Sequence, residues 1–243
     1  MEQKKPHVLI LGSAPTALTA RGWPSHSFTH IVAINNAWRI RADWDFLIHP
    51  EDFPTDNLPD HVGPNQRVIT AEDYVPLQNE LGGFVYAGGT MAFTAGYWAL
   101  AALKPSVMAF LGCDMVYPRS GNTHFYGNGA ADPLRPDITL RSLEAKSARL
   151  ALFGATQNCS VVRLSEGESR LVFPTVSQNN LDSAPLPSFK GMTQALKREA
   201  EMGYFVPSGR YWECQSRFDP VKIDELDNLW LKTYRDSILA HVL

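Results

Sequence analysis

Residues 8–18, "VLILGSAPTAL", decide the reading of this chain. Four consecutive apolar residues, Val8 to Leu11, stop at Gly12, and Ser13, Ala14 and Pro15 follow before a helix-like run. A run that is apolar at every position suits a strand buried on both faces, the habit of parallel sheets. A turn of small residues behind it lets the backbone come close to a neighbour or a ligand. The pattern predicts a first strand over His7–Leu11 and a short helix over Thr16–Arg21.

Working outward, the same alternation recurs. Strands are predicted at His30–Ile34, Asp45–Ile48, Arg67–Thr70, Ser106–Leu111 and Ser160–Leu164. Helices are predicted at Gly89–Leu103 and Thr139–Gly154, the latter with a charged side carrying Arg141, Glu144, Lys146 and Arg149 and a stop at Gly154. Apolar strands separated by helices imply an α/β class: a Rossmann-like, doubly wound, mostly parallel sheet whose ligands bind beyond the carboxyl ends of its strands. Residues 1–171 read as this nucleotide-binding domain.

From Val172 the chain becomes rich in Pro, Ser and Asn, and residues 172–243 read as a loop and C-terminal helical extension. Ser188 caps a predicted helix running to about Glu201, and Asp219 with Pro220 opens a last one. There Ile223, Leu226, Trp230, Tyr234 and Ile238 share one face, which is buried against the α/β domain or against a second copy in a homo-oligomer.

A 243-residue chain that is 44% hydrophobic can bury a full α/β core, and its net charge of −3 gives no attraction to nucleic acid or membrane. Residues 84–103 carry no charge and have the length of a membrane span. Gly88, Gly89 and Gly96, and a first half that reads as strand and turn, favour a buried central helix instead. Cys113, Cys159 and Cys214 are odd in number and far apart, so neither a disulfide framework nor a cysteine metal knuckle is expected. With no apolar signal core in MEQKKPH, a cytoplasmic location is expected.

Candidate site residues sit just past the predicted strands. The Gly12–Pro15 turn opens a helix whose N-terminus favours anions. It is neither a GxGxxG fingerprint nor a phosphate loop with its lysine. Asn35 and Asn36 offer carboxamides suited to a base or sugar edge. Gly88, Gly89 and Thr90 form a second close-approach helix start. His49, Glu51 and Asp52 follow the third strand. Residues 112–137, "GCDMVYPRSGNTHFYGNGAADPLRPD", form a long loop with little regular pattern, the kind that usually carries function. In it His124 is a candidate general base, and Tyr117, Tyr126 and nearby arginines are candidate donors to a phosphate leaving group. Arg39, Arg41, Arg135 and Arg141 are either solvated or available to an acidic substrate.

Four stretches, "LGSAPTAL", "AINNAW", "GGTMAFTAGYWALAALKPSVMAFLGCDM" and "THFYGNG", stand in the order seen in the bacterial sialyltransferases of glycosyltransferase family 42, and the chain resembles that set over residues 7–165. The resemblance implies nucleotide contacts at Ser13, Pro15, Asn35, Gly89, Thr90, Gly112 and Asp114, with Ser13 where the family has an asparagine, and the strand-end reading adds Gly12, Ala14 and Asn36 to the same nucleotide site. It implies a leaving-group role for Tyr117, with Tyr126 as a second candidate, and a base at His124, with nine residues between it and Asp114. The implied reaction transfers a sugar from a CMP-linked donor to a hydroxyl of a glycan or other acceptor, with no metal or cofactor. The plan is also similar to that of archaeal hydroxymethylpterin diphosphokinase-like proteins, which transfer pyrophosphate with Mg²⁺. In that reading Asp43, Asp45, Glu51, Asp52 and Asp114 are candidate ligands. A third expectation is a non-catalytic nucleotide- or glycan-binding module.

Overall fold

A computed structural model of the chain describes residues 6–188 and 191–239. Six strands form one sheet: β1 (His7–Leu11), β2 (His30–Ile34), β3 (Phe46–Ile48), β4 (Arg67–Ile69), β5 (Val107–Leu111) and β6 (Ser160–Arg163). Their spatial order is β4-β3-β2-β1-β5-β6, and every pairing is parallel. The fold is therefore a Rossmann-like α/β fold with helices on both faces of the sheet. The chain runs outward from β1 to β4, then returns to place β5 on the other side of β1. That reversal puts the topological switch point, where such sheets hold ligands, at the carboxyl ends of β1 and β5.

The strand period divides the core into two layers. Val8 and Ile10 of β1 face one, with six α-helices: α1 (Ala71–Glu80), α2 (Phe84–Ala87), α3 (Met91–Leu103), α4 (Leu143–Thr156), α5 (Met192–Met202) and α6 (Pro220–Leu239). Leu9 and Leu11 face the other, which is covered by short 3₁₀ segments at Pro15–Gly22, Asn35–Arg39 and Gln178–Ser183. Ala17, Ala20 and Ala37 are fully buried there, so the close approach of these short segments depends on small side chains.

Several sequence expectations change. Phe84–Ala87 is one helical turn, not strand. The Thr139–Gly154 helix starts later, at Leu143, where Ser142 Oγ accepts the Ala145 N–H at 3.1 Å, and runs through Gly154 to Thr156. Gly154 is interior because a Cβ there would lie 2.6 Å from Val161 on β6. The charged side of that helix is split: Arg141 is exposed and Glu144 half-buried, whereas Lys146 and Arg149 are buried, paired with Asp227 of α6 and Glu199 of α5, each at 2.7 Å. α5 starts at Met192 behind Gly191 rather than at Ser188, and residues 189 and 190 lie outside the described residues. Asp219 does cap α6, with Oδ1 accepting the Val221 N–H at 2.9 Å. Ile223, Leu226, Trp230 and Tyr234 are buried in the same core cluster as β1, whereas Ile238 is exposed.

Candidate functional site

Gly12 and Gly112 meet at the switch point. Gly12 N–H donates to Leu111 O at 2.8 Å, and Ala14 N–H donates to Gly112 O at 3.0 Å. A Cβ on Gly12 would collide with the Gly112 carbonyl, and one on Gly112, at φ +71°, would lie 2.6 Å from Ala17. The side-chain-poor turn after β1 is thus required first by the neighbouring strand. The space above it is a cavity of about 850 Å³.

Gly12, Ser13 and Ala14 line this cavity from β1, Asn35 and Asn36 from β2, Gly89 and Thr90 from the start of α3, and Gly112 from β5. Tyr117, His124 and Tyr126 line it from the long loop. Four of the strand-end candidates, Pro15, His49, Gly88 and Asp114, lie off the wall. Pro15 is exposed, and Asp114 is buried beneath the loop, its Oδ1 accepting from Ser165 Oγ at 2.6 Å.

The His124 loop is tied to the opening turn, since Phe125 N–H donates to Ser13 O at 2.9 Å. His124 is 7% exposed. Its ring stacks on Tyr126 with centroids 5.0 Å apart and lies 5.9 Å from Tyr117. Thr123 Oγ1 sits 2.9 Å from His124 Nδ1 and accepts the Gly129 N–H at 2.9 Å. A Cβ on Gly129 would lie 2.8 Å from the same nitrogen, so the loop closes around the imidazole only with glycine there. Burial lowers the pKa of His124 below the usual imidazole value, which keeps the ring neutral. Burial pushes the Tyr117 phenol up to about 12, so it remains a proton donor.

Asn35 adopts φ +51°, and the Oδ1 atoms of Asn35 and Asn36 are buried without a partner among the described residues. Unpaired acceptors on a cavity wall carry a desolvation cost that a ligand's donors would remove. At the start of α3 the anion site expected at Gly89 is already occupied. Gly89 N–H donates to Thr139 Oγ1 at 2.8 Å, and its carbonyl accepts from Arg135 at 2.8 Å. Gly89 is glycine because a Cβ would fall on the Tyr211 hydroxyl. Thr90 caps the helix without a side-chain capping bond.

Tyr211 and Trp212 also line the cavity, and sequence reasoning missed both. They lie in the 3₁₀ segment Tyr211–Arg217 of the C-terminal extension. Tyr211 Oη donates to Asp137 at 2.8 Å and accepts from Arg135 at 3.2 Å. The one available signal was an aromatic pair standing outside the apolar period of α6.

The nominated arginines are committed elsewhere. Arg39 binds Asn57, Arg41 pairs with Asp43, Arg141 with Asp224, and Arg135, on the cavity wall, with Asp132 and Asp137. Of the five candidate metal-binding carboxylates, Glu51 and Asp52 line the cavity; Asp45 accepts the Ile31 N–H at 2.7 Å, and Asp43 and Asp114 are bonded as described. Among the described residues, no three or more His, Cys, Asp or Glu side chains gather as a metal site, and no helix is long and apolar enough to cross a membrane. No protein-family model, curated protein or solved structure matches the chain.

Proposed function

We propose that the chain is a sialyltransferase-like glycosyltransferase acting in the cytoplasm. It transfers a sugar from a CMP-linked donor to a hydroxyl of a glycan or other acceptor by a single inverting displacement. The observation that carries this reading is the pairing of a buried, neutral His124 with Tyr117 and Tyr126 on the wall of a nucleotide-sized cavity at the switch point.

In this mechanism the nucleoside lies over the Gly12–Ala14 turn, with its polar edge against the orphaned Asn35 and Asn36 carboxamides. The mechanism uses the tautomer in which Nδ1–H donates to Thr123 Oγ1, whose own hydrogen has Gly129 O as a partner at 3.3 Å, and Nε2 is then the basic nitrogen. Nε2 takes the proton of the acceptor hydroxyl as its oxygen bonds to the anomeric carbon. The bond from that carbon to the phosphate oxygen breaks, and the phosphate leaves with the electron pair. Arg135 is already paired, so the departing charge is met by hydroxyl donors: Tyr117, Tyr126 and Thr90.

The test is a thermal-shift panel of cytidine, uridine and adenosine nucleotides, followed by turnover of a CMP-linked sugar. A ligand at 100 times its Kd adds about 2.7 kcal/mol of stability. Stabilisation by CMP together with release of CMP in an acceptor-dependent reaction supports the proposal. Absence of both ends it. Glu51 and Asp52 on the wall favour a second reading, Mg²⁺-dependent pyrophosphoryl transfer from ATP, in which these two carboxylates would hold the ion. ATP binding that a chelator abolishes would select it.

A further inference from the structure

We propose that Trp212 is a stacking platform for an uncharged pyranoside, the acceptor of the transferred sugar, held at the mouth of the cavity by the C-terminal extension. This rests on the glycosyl-transfer reading above. Trp212 is 53% exposed, a costly position for an indole, yet it lies on the cavity wall. Tyr126 is likewise exposed on the wall, at 45%, and stacks on the proposed base. The exposed aromatic surface at this mouth therefore adjoins the reacting groups.

The segment that carries the platform is anchored at its buried neighbour. Trp212 packs against Tyr211 with centroids 5.4 Å apart and planes at 77°, which leaves at least one indole face uncovered. Tyr211 is itself buried and anchored through Asp137 and Arg135. An aromatic side chain with few rotatable bonds on an anchored segment can meet the C–H face of a sugar at modest entropic cost.

Charge at the mouth selects the partner. Glu51, Asp52 and Asp132 line the cavity, and Asp137 and Glu213 stand beside them; against these five carboxylates stand three guanidiniums, Arg135 on the wall, Arg210 paired with Glu51, and Arg39 bonded to the lining Asn57. Asp52 has no ion-pair partner among the described residues. Asp52, the lining carboxylate left unpaired, offers an acceptor for sugar hydroxyls and no cation for an acceptor's carboxylate. It suits a neutral sugar, whose hydroxyls donate to carboxylates while its C–H face lies on an aromatic ring.

The experiment uses the full chain, neutral methyl pyranosides (methyl β-galactoside, β-glucoside and α-mannoside) detected by saturation-transfer NMR, and CMP followed separately by thermal shift. At least one glycoside is expected to bind the wild type through its C–H protons. Its affinity should fall at least tenfold in Trp212→Ala and be largely kept in Trp212→Phe, with the CMP shift unchanged in both. Glycoside binding without any CMP shift supports the platform while removing the nucleotide reading. Binding by no glycoside, equal binding by Trp212→Ala, or loss of the CMP response in that variant overturns the proposal.

Discussion

The backbone N–H of Phe125 donates to the carbonyl of Ser13 at 2.9 Å, so the residue after His124 is bonded to the turn that ends β1. One hydrogen bond thus joins segments more than a hundred residues apart and sets the imidazole on the same rim as the opening turn. The Phe125 side chain packs against the layer that holds Leu9, Leu11 and Ala17, so packing and bond together fix His124 relative to the switch point.

His124→Ala is therefore expected to remove the chemical step and leave the nucleotide site standing. General-base catalysis contributes on the order of 10²–10⁴ in rate. A loss of that size in kcat, with CMP affinity by calorimetry roughly unchanged, is the expected result. A variant as active as the wild type would take His124 out of the mechanism.

Burial lowers the pKa of His124, and this has two consequences of defined sign. The base is active when neutral, so the acid limb of kcat/KM is expected below the unperturbed value of about 6.5. In the unfolded chain the ring takes up a proton near that value, whereas in the folded chain it does so only at lower pH. Its contribution to stability is therefore complete above about 6.5 and declines as the pH falls from there. Urea unfolding at several pH values should show this decline in the wild type and a smaller one in His124→Gln.

Gly12→Ala tests the switch point itself. The added methyl would meet the Gly112 carbonyl and lie 2.6 Å from Cys113 Sγ. Overpacking of this kind costs about 1–3 kcal/mol. The variant should unfold at lower denaturant concentration and bind CMP more weakly, because β1 and β5 must part where the nucleotide is to lie. Gly22→Ala, which meets nothing within 4 Å, is the control and should change neither.

The strands were legible because their signal is local. Uninterrupted apolar runs such as HVLIL and HIVAI place every strand within one residue of its observed ends. The cavity wall was legible where strand-end position decides it, as at Ser13, Asn35 and Gly112. It failed where a distant partner decides. Asp114 stands in a Gly-x-Asp pattern but turns to Ser165, 51 positions on. The Gly89 amide looks available until Thr139 is brought to it, 50 positions on. Tyr211 and Trp212 reach the cavity only because the extension folds back over the sheet's carboxyl edge, and no period in the sequence encodes that return.

Lys146 and Arg149 were misread for the same reason, and Arg149 yields the sharpest stability prediction. Its guanidinium donates to both Glu199 carboxylate oxygens at 2.7 and 2.8 Å, to Tyr97 Oη at 2.7 Å and to Leu81 O at 2.8 Å. It also lies 4.2 Å from the centroid of the Phe153 ring. Glu199 accepts in addition from Trp230 Nε1 at 2.8 Å, so one carboxylate of α5 joins α4 to α6. Removing one partner of a buried pair leaves an uncompensated charge and costs about 3–5 kcal/mol. For a domain of this size that is a fall in Tm of roughly 6–20 °C. Glu199→Ala should show this fall by calorimetry. Because neither residue lines the cavity, CMP affinity measured well below the new Tm should be unchanged. A Tm within about 2 °C of the wild type would mean that water reaches Arg149 and that the three helices are held by their apolar faces alone.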